Sequence, residues 1–147
     1  MDEAARAFLE QNHSAAMITL RADGTPHVAR IGVALVDGKL WSSGTQGRLR
    51  TRHLRRDPRS TLFVFDPAWR WLGLECTAAV LDGADAPDLN LRLFRVMQGK
   101  PEGDIVWMGK ETNDEDFLRI MVDEERLIYE FSVRRAYGMY GEPPASR

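Results

Sequence analysis

Two Asp-Gly pairs constrain the first third of this chain. Asp23-Gly24 and Asp37-Gly38 each separate short apolar runs. Asp-Gly marks a tight hairpin turn, because both central residues of the favoured turn need positive φ. Ser14 to Leu20 alternates, with Ala16, Ile18 and Leu20 on one face. His27 to Val36 is the expected partner strand, and Lys39 to Gly44 follows the second turn. The stretch therefore reads as a run of antiparallel hairpins.

The flanking segments add helices. Asp2 to Gln11 has Ala4, Ala5, Phe8 and Leu9 at near-helical spacing, with Asp2 placed to cap it. Gln46 to Arg56 reads as a helix ended by Asp57-Pro58, since proline lacks a donor and restricts the residue before it. Strands are expected over 60–65 and roughly 70–81. After a loop over 82–87, Pro87 opens a helix whose Leu89, Leu93, Val96 and Met97 are spaced for burial. Gly99 to Gly103 breaks it, and Asn113 to Asp123 is a further helix with Phe117, Ile120 and Met121 on one side. A strand from Arg126 to Val133 and a short one near Tyr137 close the chain. Six or seven short strands interrupted by one helix predict a mainly β fold, a barrel whose openings are covered by helices. At 147 residues, without repeat or linker, the expected unit is one domain over 1–147.

Charge is unevenly spread. Between two of those strands lies Gly47-Arg-Leu-Arg-Thr-Arg-His-Leu-Arg-Arg-Asp-Pro-Arg59, which holds six of the 20 basic residues and one acid. The remainder has 14 basic against 21 acidic residues, so a generally nucleic-acid-binding chain is disfavoured. The one cysteine, Cys76, excludes an internal disulfide or a cysteine metal cluster. The N-terminal residues carry early acids and no long apolar run, so neither a signal peptide nor a membrane span is expected, and the cytoplasm fits.

The arginine segment is the strongest candidate site. Arg48, Arg52 and Arg56 share a helical face, with Arg55 beside them and Leu49 and Leu54 expected inward. Like charges at this spacing repel by about 0.2–0.5 kcal/mol per pair, and a bound anion relieves that. Guanidinium groups grip phosphate oxygens as a fork. The helix start near Gly47 adds free backbone N–H groups, and Thr51 a hydroxyl. Arg48 and Arg50 lie nearest that start and are assigned the phosphate. The competing reading is a solvated face paired with nearby acids.

Ser42 and Ser43 end a strand just before this helix and are placed to bond a ring or a phosphate. Trp41, Trp69 and Trp71 offer an aromatic wall, or core packing. His13, His27 and His53 are scattered without ligand spacing, so no metal site is expected. There is no P-loop, no G-x-G-x-x-G and no G-x-S-x-G. Chemistry would have to come from a bound cofactor.

In order, Leu20-Arg-Ala-Asp-Gly-Thr-Pro-His-Val28, the strand ending in Ser42-Ser43, the arginine segment and Arg70-Trp-Leu-Gly-Leu-Glu-Cys-Thr-Ala-Ala-Val80 resemble the pyridoxamine-5′-phosphate-oxidase-like split β-barrel family. Within it, they resemble the branch that uses the deazaflavin coenzyme F-420 in place of FMN. The similarity covers roughly 5–83 and 126–141, and the stretch 84–125 only weakly. The resemblance implies an FMN-binding-like split barrel, homodimeric, with cofactors at the subunit interface. It puts the phosphate contacts on Arg48 and Arg50, with Thr51 and Arg52 adjacent. It puts Arg30, Ile31 and Gly32 beside the cofactor ring, Ser43 at a strand-end contact, and an aromatic reaching the partner's cofactor at Tyr137. Together with Ser42 and Trp71 these form the expected cofactor-binding set. The implied activity is hydride transfer between coenzyme F-420 and a small conjugated or quinone-like acceptor. FMN remains open as cofactor, as does a non-catalytic carrier of a flavin-like or tetrapyrrole ligand.

Overall fold

Both Asp-Gly pairs are turns in the computed structural model, which describes residues 1–141. At the second, Asp37 (φ 50°) and Gly38 (φ 78°) are both left-handed, as the hairpin requires. At the first, Asp23 accepts hydrogen bonds from Thr25 N (3.0 Å) and Thr25 Oγ1 (2.6 Å) and holds the bend. Strand β1 (Ser14–Leu20) pairs antiparallel with β2 (Pro26–Gly32), in register from Ser14 opposite Gly32 to Leu20 opposite Pro26.

The expected strand over 27–36 is in fact two. Val33 leaves the ladder and donates its N–H to His13 O at 2.8 Å. Beyond it, β3 (Ala34–Val36) pairs with β4 (Lys39–Thr45) instead of β1. A single bent stretch thus serves two neighbours. With β5 (Arg59–Phe65), β6 (Trp71–Leu81) and β9 (Arg126–Met139), the sheet order is β2-β1-β5-β6-β9-β4-β3. Its two edges, β2 and β3, are consecutive in the chain, so the sheet curls back upon itself. Ser42 Oγ donates to Gly32 O at 2.6 Å across that seam.

The C-terminal strand is also longer than expected. Val133 and the region of Tyr137 belong to one strand, because a bulge absorbs the irregularity between them. Cys76 lies opposite Val133 and Glu75 opposite Arg135, which leaves Arg134 as the extra residue.

Inward-facing positions fill the barrel with Met17, Leu62, Leu72, Leu74, Leu127 and Tyr129 among others, all fully buried. Cys76 joins them, and burial pushes its thiol up to about 12, so it packs as a small apolar group. Helix α1 (Glu3–Gln11), capped by Asp2 through Ala5 N at 2.8 Å, buries Ala5, Phe8 and Leu9 where β1 begins. Helix α2 (Leu49–Arg56) buries Thr51, His53 and Leu54 where β1 ends.

Helix α2 starts at Leu49 and not Gln46, with Arg48 as its cap residue. Leu49 is 51% exposed, contrary to the inward position expected of it. It lies five residues from buried Leu54, about 140° around the helix. Helix α3 (Ala86–Gln98) ends at left-handed Gly99 and lays Leu89, Leu93 and Met97 over Ala34, Trp41 and Ile128 on the outside of the barrel. Val96, expected buried, is exposed on its far side. A hairpin missed by sequence reasoning follows. It comprises β7 (Ile105–Trp107) and β8 (Lys110–Thr112), turning through Met108 and Gly109, both at positive φ. With α4 (Asp114–Asp123) it buries Ile105, Phe117 and Met121 in a small second cluster against Phe94.

Gly44 on β4 is compulsory for this packing. A Cβ there would stand 2.2 Å from the Tyr129 hydroxyl. Gly44→Ala is expected to cost about 1–3 kcal/mol in urea unfolding, the range for overpacking. Gly44→Ala combined with Tyr129→Leu recovers part of that loss if the clash is its cause.

Candidate functional site

The site grows from the buried hydroxyl of Tyr129. It meets Thr51 Oγ1, which in turn donates to Thr45 O at 2.7 Å. The Thr51 hydroxyl has one proton, so Tyr129 is the donor in their shared bond. This ties the first turn of α2 to the end of β4. Arg48 N also reaches Thr45 O, at 3.4 Å. Arg48 caps the helix without a side-chain acceptor, and among the described residues the N–H groups of Leu49 and Arg50 find no partner. Orphan donors at a helix start attract anions.

The arginines separate into two groups. Arg55 pairs with Asp82 at 2.8 Å, Arg59 with Asp57 at 2.7 Å, and Arg56 donates to Leu20 O. These fit the solvated, paired reading. The Arg59 guanidinium holds the Asp57 carboxyl down at about 2. Arg48, Arg50 and Arg52 have no carboxylate partner among the described residues. Arg50 is the unusual member. Its guanidinium lies 5.9 Å from the Tyr129 ring centre, and its Nε is buried with no hydrogen-bond partner. Burial lowers its pKa, Tyr129 opposes the shift, and the charges of Arg48 and Arg126 add to it. A guanidinium with no carboxylate partner among the described residues and an orphaned, buried N–H is a donor set suited to phosphate oxygens.

Ser42 and Ser43 end up committed inside the protein. Ser42 donates to Gly32 O across the seam, and Ser43 donates to Asn90 Oδ1 at 2.5 Å. Asn90, fully buried on α3, also reaches Ala86 O and Leu127 O and so fastens α3 beside the site. Nothing in the residue pattern marked it.

The remaining expected residues lie elsewhere. Arg30, Ala16, Phe63, Gly73 and Tyr137 stand opposite one another across five strands on the outer face of the sheet. Trp71 sits one row away, 5.5 Å from Phe63 and 6.1 Å from Tyr137. Gly73 is bare because a Cβ would press on the Tyr137 ring at 2.8 Å. Ile31 faces the core. The three tryptophans do not make one wall. Trp41 is buried under α3, bonded to Glu130 and stacked by Arg92, while Trp69 is exposed in a loop. One chain thus carries a cationic group at the β4–α2 junction and an aromatic group on the open sheet face.

The model of the family described as Pyridoxamine 5′-phosphate oxidase matches residues 1–129. The chain belongs to the pyridoxamine 5′-phosphate oxidase family. Among its relatives is the F420H(2)-dependent biliverdin reductase of Mycobacterium tuberculosis, 37% identical over 89 residues. That match takes in 58% of this chain and 64% of the relative, just under two thirds of its length. Among solved structures, a conserved hypothetical protein from Mycobacterium tuberculosis superposes with a TM-score of 0.72 at 22% identity, over 100% of this chain and 92% of that one. An F420 reductase gives 0.66 at 18% identity, over 93% and 98%. Both are likenesses of fold, the split barrel that the strand order describes.

In this family member the α2 seat includes a pair of histidines. The sequence scatters them, yet the His27 and His53 rings are 5.2 Å apart, and His53 Nδ1 is 2.9 Å from Thr19 Oγ1. Burial lowers the His53 pKa below its ordinary 6.5, with His27, Arg56, Arg21 and Arg52 adding to the effect. A depressed histidine pKa means that the unfolded chain binds the proton first. Its stabilising share is therefore complete above pH 6.5 and is lost as pH falls below that value. The midpoint of thermal unfolding should drop between pH 7.5 and 5, and the drop should be smaller in His53→Gln (pH values about these).

Proposed function

We propose that this protein is an oxidoreductase whose cofactor is coenzyme F-420, held at its phosphate end by Arg48, Arg50 and Arg52. The observation that carries this is Arg50, whose Nε is buried and unpartnered at the start of α2. A family relative that carries F420H(2) in its name supports the choice of deazaflavin. Three uncompensated guanidiniums also favour a cofactor with a phosphodiester and an anionic tail over FMN, which needs only one terminal phosphate site.

When bound, the deazaflavin supplies a hydride to a small conjugated or quinone-like acceptor. The chain supplies position and charge. Arg48 and Arg50 hold the phosphate, with the N–H groups of Leu49 and Arg50 beside them. Thr51 and Tyr129 keep that turn of helix fixed to the barrel. The Arg30–Gly32 edge borders the ring.

The aromatic group serves a second copy of the chain. Phe63 and Phe65 of β5, Trp69 of the loop after it, and Tyr137 and Met139 of β9 are all exposed large apolar side chains. Exposed apolar patches of this kind mark interfaces. In a homodimer, Tyr137 of one subunit is placed to complete the cofactor site of the other.

Titrating the protein with F-420 by fluorescence tests the reading, with FMN as competitor. Arg48→Ala and Arg50→Ala should each weaken F-420 binding by about tenfold or more, on about 1.5–3 kcal/mol per charge-assisted contact. Absence of saturable F-420 binding would remove the proposal; tighter binding of FMN would transfer the site to that cofactor. Light scattering after gel filtration tests the dimer. The wild type should run at twice the chain mass and Phe63→Asp at the chain mass.

A further inference from the structure

We propose that Arg126, outside the expected set, is a fourth guanidinium of the anion grip, and that the β7–β8 hairpin holds it there. The inference rests on the cofactor reading above and deepens it.

Arg126 opens β9 directly opposite Thr45 of β4. Directly paired residues have Cβ atoms about 5 Å apart. Thr45 is also the residue whose carbonyl oxygen accepts from Arg48 N and Thr51 Oγ1. One residue further on, Gln46 N donates to Glu125 O at 3.1 Å. The start of β9 and the start of α2 are therefore both tied to Thr45. Arg126 is near enough to Arg50 for its charge to act on it, as Arg48 does. The charges of Arg48 and Arg126 thus both act on Arg50 at this junction.

Arg126 is held rather than free. Its guanidinium stacks on the Trp107 ring at 5.2 Å, and its Nε and Nη2 both donate to a single oxygen of Glu124, at 3.0 and 2.7 Å. Its side chain is only 13% exposed. Trp107 is itself packed edge-on to Phe94 and Phe117, at 5.4 and 5.7 Å. The brace thus extends into the small second core. Nη1 makes no hydrogen bond among the described residues, which leaves one prong of the fork free. A simple surface ion pair would need neither the aromatic shelf nor the burial. Glu124, 39% exposed, offsets one of the four charges. Three remain for a multivalent anion such as a phosphodiester with a carboxylate tail. Ordering an arginine before the ligand arrives lowers the entropy cost of binding.

The test uses the full chain, F-420, and the same deazaflavin ring lacking its phosphodiester. Arg126→Gln should weaken F-420 binding about tenfold, leave the phosphate-free ring unaffected, and reduce the slope of log Kd against log salt. Arg126→Lys keeps the charge without fork or stacking and should fall between. Trp107→Ala should weaken F-420 by a smaller factor, with the strand signal in circular dichroism retained. Wild-type F-420 binding with an unchanged Arg126→Gln overturns this inference and spares the cofactor reading. Equal loss for F-420 and the phosphate-free ring also overturns it, since the defect is then structural. No saturable binding by the wild type overturns both.

Discussion

A phenol hydroxyl in the middle of an apolar barrel sets the terms for everything around it. Left unpaired, it would cost about 1–3 kcal/mol. Tyr129 meets that demand by donating to Thr51, which donates to the Thr45 carbonyl. The direction is fixed because each hydroxyl has one proton to give. Arg50 lies over the same ring. Bonds in such a chain polarise one another. Gly44 is bare to admit the ring, so the backbone, the core and the cation are settled by one contact set. The helix carrying the arginines cannot slide without breaking it.

Much of the fold was legible where local chemistry and tertiary structure agree. Asp23-Gly24 and Asp37-Gly38 turn as their residue types demand, and Asp2, Pro87 and Gly99 mark helix ends. What escaped notice depends on partners distant in sequence. Val33 breaks its strand only because His13 O takes its N–H. The last strand stays whole only because β6 tolerates a bulge opposite Cys76. The β7–β8 hairpin turns at Met108-Gly109, where methionine occupies a left-handed position that its side chain disfavours. Leu49 points outward because it stands about 140° around the helix from buried Leu54.

The site was legible in kind and not in extent. A run of arginines announces an anion, but not which guanidiniums the protein has already neutralised. That depends on Asp57 and Asp82, one inside the run and one far along the chain. Ser42 and Ser43 drew attention by position, while their hydroxyls are directed at Gly32 and Asn90. Asn90 and Arg126 gave no sequence signal, since a single amide on a helix and a single arginine at a strand start are commonplace.

The chain has more acids than bases, yet leaves Arg48, Arg50 and Arg52 without a carboxylate among the described residues. Surface charge pairs contribute little, so chance alone would pair exposed arginines readily at small cost or gain. Burial of Arg50 is a different matter. It desolvates a cation, which is unfavourable unless something else in the working molecule compensates. Tyr129 supplies only part of that compensation, since a neutral phenol cannot balance a full charge. The deficit falls where orphan backbone donors and a fixed helix start coincide with the charges of Arg48 and Arg126. An anion arriving there satisfies the buried N–H, the helix terminus and the mutual repulsion of the arginines in one step. Among the described residues no carboxylate takes that place beside Arg50.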